Sequence, residues 1–490
     1  MSNNTRLLAA LIPLISSSCS VGPDQPPQAT VTLNALRPPV SALADRWWQL
    51  YQDSNLNLAV EQALSNNRSL RVAAAKLLEA RAVLNETDDE RLPGTTFSAN
   101  AGYGSTINDQ IAAARQQSGI RTGSRYGIGI DVQWEVDLFG RLHSLSRAAE
   151  ADAQSAQAAE DGLRVVVAAE TSRAWLDACS YAQQIGIAQR SLEMAEHGQQ
   201  IAERLRQSGA GVTLDVVRAQ AQVEQTRASL PLLQAARRNT LAELAVLMGH
   251  LPDDPPQAAA DCQSPPQLAH SAVQATNGMA MLSRRPDVLQ AQQQLIAATA
   301  RIGVATADLY PRISLGSSVL SSAPQPDGWD KSGASVWSIG PLVSWSFPDL
   351  SQARARIAQA GARESAALAN FDGTLLGALK EVQQNLSDYD AIQQQQQALT
   401  QADKNSQQAL QLAQYSWQAG ATTALDYLDA QRSDIAVQSQ LAQVNAQVID
   451  AQISLFKALG GGWQQAPAVV LPTPQRANPQ FPLIAKRENL

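Results

Sequence analysis

The chain repeats itself at a fixed offset. The stretch QSGAGVTLDVVRAQ from Gln207 returns as WQAGATTALDYLDAQ from Trp417, so that Leu214 meets Leu425, Asp215 meets Asp426 and Gln220 meets Gln431, each pair 211 positions apart. The same offset joins Trp134 to Trp345 and Gly249 to Gly460, whereas Pro93 and Pro311 lie 218 apart. Two copies of one unit therefore fill most of the chain, the second shorter by seven residues between its proline and its tryptophan. Whatever one copy folds into, the other must fold into as well.

Each copy changes its period in the same order. Leu58, Ala59, Ala63, Leu70, Val72, Ala73 and Leu77 fall at helical spacing, predicting a helix over 55–91 that Pro93 stops. The period then becomes two: Phe97, Ala99, Ala101 and Tyr103 alternate with small polar residues. After a polar loop Tyr126, Ile128, Ile130, Val132, Trp134 and Val136 do the same. From Arg141 to Gln207 an Ala-rich helical pattern runs without proline, long enough for a helix of ~100 Å. A turn at Ser208 to Val212 and a return helix ending near Gly249 complete the unit.

The second copy has a helix over 286–308, a strand through Ile313, Leu315, Ser317 and Val319, and a partner strand carrying Trp337, Ile339, Pro341, Val343, Trp345 and Phe347. The expected segments are a signal peptide 1–18, an extended equatorial segment 19–54, a first repeat 55–250 with its hairpin at 95–137, a linker 251–270, a second repeat 271–462 with hairpin 312–347 and long helix 351–418, and a tail 463–490.

Two amphipathic hairpins supply four strands, too few to close a membrane barrel, so several chains must share one. The alternation implies a lipid-facing side, with Tyr126, Trp134, Trp337 and Trp345 as interface aromatics. Helices of such length must pack side by side, and a ring of them encloses a tunnel that Gln, Ser and Asn would coat.

The N-terminus, MSNNTRLLAALIPLISSSCS, reads as an export signal whose apolar run is too short to span a bilayer. Cys19 stands where a lipoprotein signal would be cut and acylated; ordinary cleavage nearby is the alternative. Cys179 lies in a helical stretch and Cys262 in a Pro-rich loop; a disulfide is possible in an oxidising compartment, but both are expected to be unpaired. A net charge of -7 without a basic cluster argues against nucleic acid. His143, His197, His250 and His270 lack ligand spacing, and no nucleophile or phosphate-loop motif is present, so neither an enzyme nor a cofactor is expected.

Several separated motifs resemble one family. They are CSVGPDQPP from Cys19, DRWWQLYQDSNLNLAVEQAL from Asp45, WEVDLFGR from Trp134, LMG from Leu247 and RRPDV from Arg284, and together they are similar to the TolC-like outer-membrane efflux factors of the NodT-type lipoprotein branch. The resemblance implies a mainly α homotrimer with a 12-stranded outer-membrane barrel continued by a periplasmic α-helical tunnel. It also implies a tripartite exporter, with a periplasmic adaptor and an inner-membrane pump of the RND or MFS type as partners. Small toxic compounds or drugs are the expected cargo; a duct for type I protein secretion and a structural coiled-coil envelope protein are the alternatives. Gln25 replaces the tyrosine usual after Gly-Pro-Asp, and FPDLSQAR from Phe347 departs from the usual Phe-Asp-x-Gly-x-Arg, at the junction of barrel and helix.

The resemblance also places the two repeated turns at the periplasmic entrance. Gly209, Ala210, Gly211, Gly420, Ala421 and Thr422 would then meet the adaptor, while Asp426 and Asp429, with Asp215, would form the gate. Capping competes with that reading for Asp426 and Asp215, because an acid in the first turn favours the helix dipole and Thr423-x-x-Asp426 is a capping box. It does not account for Asp429, which aligns with Arg218 in the first copy. Thr422 stands where some relatives carry an arginine latch.

Overall fold

The structure, a computed structural model, describes residues 21–29, 45–268, 284–325, 327–328, 334–348 and 350–471. Cys19, the signal peptide, most of the C-terminal tail and the end of the linker lie outside the described residues. A short 3-10 turn at Trp47–Tyr51 precedes α1 (Ser54–Asn66), α2 (Arg68–Asp89), β1 (Gly94–Gly104), α3 (Ile107–Gln116), β2 (Gly123–Val136), α4 (Arg141–Gln207) and α5 (Thr213–Leu247). Then follow α6 (Gln257–Ala260), α7 (Pro286–Ala307), β3 (Arg312–Ala323), β4 (Ser335–Ser344), α8 (Ser351–Gln418) and α9 (Ala424–Ala458). The repeat is visible in the lengths: α4 and α8 have 67 and 68 residues, and α5 and α9 have 35 each.

Contacts divide the chain into two units. One comprises Met1–Pro39, Lys76–Ala159 and Thr276–Glu381; the other comprises Val40–Ala75, Glu160–Ala275 and Val382–Leu490.

The first unit holds the sheet. Its order is β1-β2-β3-β4, every neighbour antiparallel. The register stacks residues of like chemistry across all four strands. Phe97, Ile130, Val319 and Trp337 form one row, and the adjacent row is Thr96, Asp131, Ser318 and Ser338. Because side chains alternate between faces, the two rows point to opposite sides. The apolar row is exposed within one chain, Phe97 at 67% and Trp337 at 74%, as a lipid-facing surface should be. Among the described residues β1 and β4 each keep an open edge.

The N-terminal segment around Gly22 is seated against this unit. A Cβ on Gly22 would stand 2.7 Å from the Gly303 Cα, so the thread passes there only because Gly22 has no side chain; one on Gly303 would stand 2.6 Å from Ser144 Oγ, so Gly303 in turn lets α7 lie close to α4. Arg147 Nη2 donates to the Asp24 carbonyl at 2.8 Å and holds it there.

The second unit holds the main apolar core. Trp47, Trp48 and Tyr51 pack with Leu56, Val60 and Leu64 of α1, Trp175 and Leu176 of α4, Leu244 of α5, and Ile453 and Phe456 of α9. Trp47 meets Phe456 at 4.8 Å between ring centres. Asp53 caps α1 by accepting from Asn55 N and Leu56 N at 2.8 and 3.2 Å, and its other oxygen accepts from Trp175 Nε1 at 3.0 Å. The WWQLYQD stretch is therefore both the centre of the core and the start of a helix.

Three expectations need correction. The helix over 55–91 is broken at Asn67, which is 6% exposed: its Oδ1 accepts from Ser69 N and Leu70 N, starting α2, while its Nδ2 donates to the Leu247 carbonyl at the end of α5. A short amide that serves two helix ends outweighs the continuing apolar period. The polar loop of the first hairpin contains α3, opened by a capping box between Thr106 and Asp109. Cys179 and Cys262 are joined in a disulfide, not unpaired; the linker folds back to bring Cys262 against α4.

Ionic contacts surround the core. Arg173 bridges Glu170, Asp450 and Ser454, and Lys457 reaches Glu170 at 2.9 Å. Asp177 lies beside this network, its carboxyl pushed up to about 7 by burial and by the nearby Asp450, Glu243 and Glu170, against the pull of Arg173. In the unfolded chain that carboxyl ionises near ~4. The fold therefore loses stability as pH rises from ~4 to ~7 and holds level above, as far as Asp177 is concerned.

Two outcomes are expected. Asn67→Ala should cost about 1–3 kcal/mol, since it leaves helix ends unpaired, read as an earlier denaturant midpoint; an unchanged midpoint would refute the double-cap role. Asp177→Asn should melt above the parent at pH 8 and level with it at pH 4, and parallel melting profiles across that range would exclude the assigned titration.

Candidate functional site

The repeated turns are built by the same backbone bonds. In the first, Gly209 N donates to Arg206 O at 3.1 Å and Ala210 N to Leu205 O at 2.9 Å; in the second, Gly420 N donates to Trp417 O at 2.9 Å and Ala421 N to Ser416 O at 2.8 Å. Gly209 and Gly420 have φ of +78° and +72°, which an L side chain adopts only with strain. Both turns are exposed at Gly209, Ala210, Gly420, Ala421 and Thr422, and Gly211 is half-buried.

The helices that leave the turns differ. Thr423 begins α9 with a complete capping box: Asp426 Oδ2 accepts from Thr423 N and Oγ1 at 3.0 and 2.8 Å, and Thr423 Oγ1 accepts from Asp426 N at 3.2 Å. Those hydrogen bonds hold the Asp426 carboxyl below its ordinary range. The first copy has Val212 at the same place, with no side-chain cap. Asp215 thus lies in the first turn of α5, where it suits the helix dipole as expected, and it takes part in no capping box.

Asp429 is exposed one turn beyond Asp426 on α9, and no hydrogen bond or ion pair engages it among the described residues. Spacing of three puts the two carboxylates on one helix face.

A brace that the sequence reading missed lies behind them. Trp417, at the end of α8, stacks on Tyr427 of α9 with ring centres 5.0 Å apart and planes 5° from parallel, and Gln431 Nε2 donates to the Tyr427 hydroxyl at 2.7 Å. Arg206 and Val216 occupy the corresponding places in the first copy. Both aromatics are plain in the repeated phrase, and their spacing of ten positions across a turn is the signal that could have been used.

In the sheet unit, two of the four expected interface aromatics share one structural role. Trp134 Nε1 donates to the Arg91 carbonyl at 2.9 Å, and Trp345 Nε1 donates to the Leu309 carbonyl at 3.2 Å. Arg91 and Leu309 follow the ends of α2 and α7, so each indole ties the base of a strand to the helix that precedes the hairpin. Tyr126 and Trp337 lie further along β2 and β4, opposite Ala323 and Val319 of β3. The junction after β4 also differs from the first. Glu135 binds Arg141 through two bonds of 2.8 Å, while Ser346 and Gln352 stand at those places in the second copy and Asp308 instead binds Arg312 and Arg356.

Among the described residues there is no group of side chains able to hold a metal ion, and no helix is long and apolar enough to cross a membrane.

Comparison with known proteins agrees with this geometry. A family model described as outer membrane efflux protein matches residues 59–250 and 279–461. The chain is 32% identical over 475 residues to the outer membrane protein OprJ of Pseudomonas aeruginosa, covering 94% of this chain and 97% of that one. It is 29% identical to the probable outer membrane lipoprotein SilC of Salmonella typhimurium, over 89% of this chain and 93% of that one. The solved outer-membrane channel OprN superposes with a TM-score of 0.80 at 34% identity, covering 91% of this chain and all of that one. The chain therefore belongs to the outer membrane efflux protein family of TolC-like channels, non-enzymatic trimers of tripartite efflux systems that sit in the outer membrane with a helical extension in the periplasm.

Proposed function

We propose that this channel exports small toxic compounds or drugs, received from a periplasmic adaptor and an inner-membrane pump of the RND or MFS type, and that Asp426 and Asp429 gate its periplasmic entrance. The observation that carries the gate is the exposed Asp429, on the same face of α9 as Asp426 yet outside the cap that accounts for Asp426. Three copies around one axis bring six such carboxylates together, a ring suited to binding divalent cations. Asp215, in the other turn, has no second carboxylate one turn on, because Arg218 stands there.

The glycine turns supply the docking surface in this reading. Ala210, Gly211, Ala421 and Thr422 are small, and the Schellman-type bonds fix their backbone, so a helical hairpin of an adaptor can settle against them without displacing side chains. Cys19 is proposed as the acylated anchor and residues 55–250 and 271–462 as the structural repeats. The relative SilC, named a probable lipoprotein, supports the anchor. A polar tunnel confers little selectivity of its own, so cargo is selected upstream.

Asp426→Ala combined with Asp429→Ala should raise the single-channel conductance of trimers in planar bilayers and relieve block by divalent cations. Asp426→Ala alone also removes the cap, so Asp429→Asn is the cleaner gate variant; unchanged conductance and block in both would overturn the gate. Photo-crosslinking from Ala210 and Ala421 in cells should capture the adaptor of a small-molecule pump, whereas capture of a protein exporter's adaptor would move the channel to type I secretion.

A further inference from the structure

The linker between the repeats has little to hold it by packing. Its described part, Leu251 to Leu268, is rich in proline and mostly exposed, and Ala259 is its one buried residue. Two polar or covalent ties add to the packing of Ala259, Cys262 and Leu268 on the core. Arg237 Nη2 of α5 donates to the Ala260 and Cys262 carbonyls at 2.6 and 3.0 Å, capping the end of the short helix α6. The disulfide then joins Cys262 to Cys179 of α4, across a separation of 83 residues.

Cys179 is fully buried, in the same core as Trp47, Trp48, Trp175 and Leu176. A thiol there is out of reach of any macromolecular oxidant once those side chains have packed. The second repeat has no equivalent, since Asp390 stands at the position corresponding to Cys179. The clamp thus belongs to the first repeat alone.

We propose that Cys179 and Cys262 are an oxidative modification site, closed during folding by an exported thiol oxidant that carries a reactive disulfide, and that the bond pins the inter-repeat linker to α4 before the aromatic core seals over it. The order follows from access. Cys262, on the half-exposed linker, is the thiolate that attacks the donor disulfide, forming a mixed disulfide and displacing one donor thiolate. Cys179 then attacks the Cys262 sulfur, forming the internal bond and expelling the second donor sulfur. Two electrons pass to the donor, which leaves as a dithiol carrying the two protons. The periplasm, where the family's helical extension lies, is a compartment in which such donors work.

The test begins with the wild-type trimer, isolated without reductant and denatured in iodoacetamide. Mass spectrometry should find the Cys179 and Cys262 peptides linked and unalkylated, and free alkylated thiols on both would overturn the proposal. Native trimers treated with a phosphine reductant should keep the bond until guanidinium is added; prompt reduction of the native trimer would refute closure beneath the core. Finally, Cys262→Ala leaves Cys179 in its apolar site and should lower the melting temperature by several degrees and speed proteolysis within Leu251–Leu268. Unchanged melting and cleavage would mean that the bond pins nothing.

Discussion

A sheet with one greasy face and two open edges cannot stand alone in water or in lipid. Among the described residues the outer edges of β1 and β4 carry unpaired backbone groups, whose exposure to hydrocarbon costs several kcal/mol each, and closure into a barrel is the arrangement that removes them. Four strands per chain make that closure intermolecular. Three copies supply the twelve strands, and trimerisation becomes a condition of membrane insertion instead of a later event.

The helical unit meets a different constraint. Its long helices have apolar stripes diluted by Ala and Gln, so local packing along them is thin: small clusters such as Ile187 with Ile435 and Ala442, or Ala202 with Val216 and Ala219. The dense core lies elsewhere, around Trp47, Trp48, Tyr51 and Phe456. Stability concentrated in one place leaves the α4–α5 and α8–α9 turns to local ties, the glycine-turn backbone bonds in both and the Trp417–Tyr427 stack in the second.

Much of this was readable from residue order because each signal was long or doubled. A helix of 67 residues without proline leaves no competing reading, and alternating strands with aromatic ends state their faces directly. What escaped were features decided by single side chains acting over distance. Asn67 breaks a periodic helix because its amide meets the end of α5, 180 residues later. The disulfide depends on where a proline-rich linker comes to rest, which no local pattern encodes. Thr423 and Val212 occupy one place in the repeat, yet only the hydroxyl can close a capping box, so Asp215 and Asp426 look alike in the alignment and behave differently in space.

The two indoles at the strand bases have a consequence for how the sheet is held. A tryptophan in a bilayer ordinarily settles where its N–H can still find water or a headgroup, and that need sets its depth. Trp134 and Trp345 give their N–H to the chain's own carbonyls, so neither ring depends on hydration for a partner. The rings travel with the helix ends that hold them, so each strand base and the helix before it move as one piece. A displacement of either helix end is thereby handed to the sheet without a solvent molecule in between.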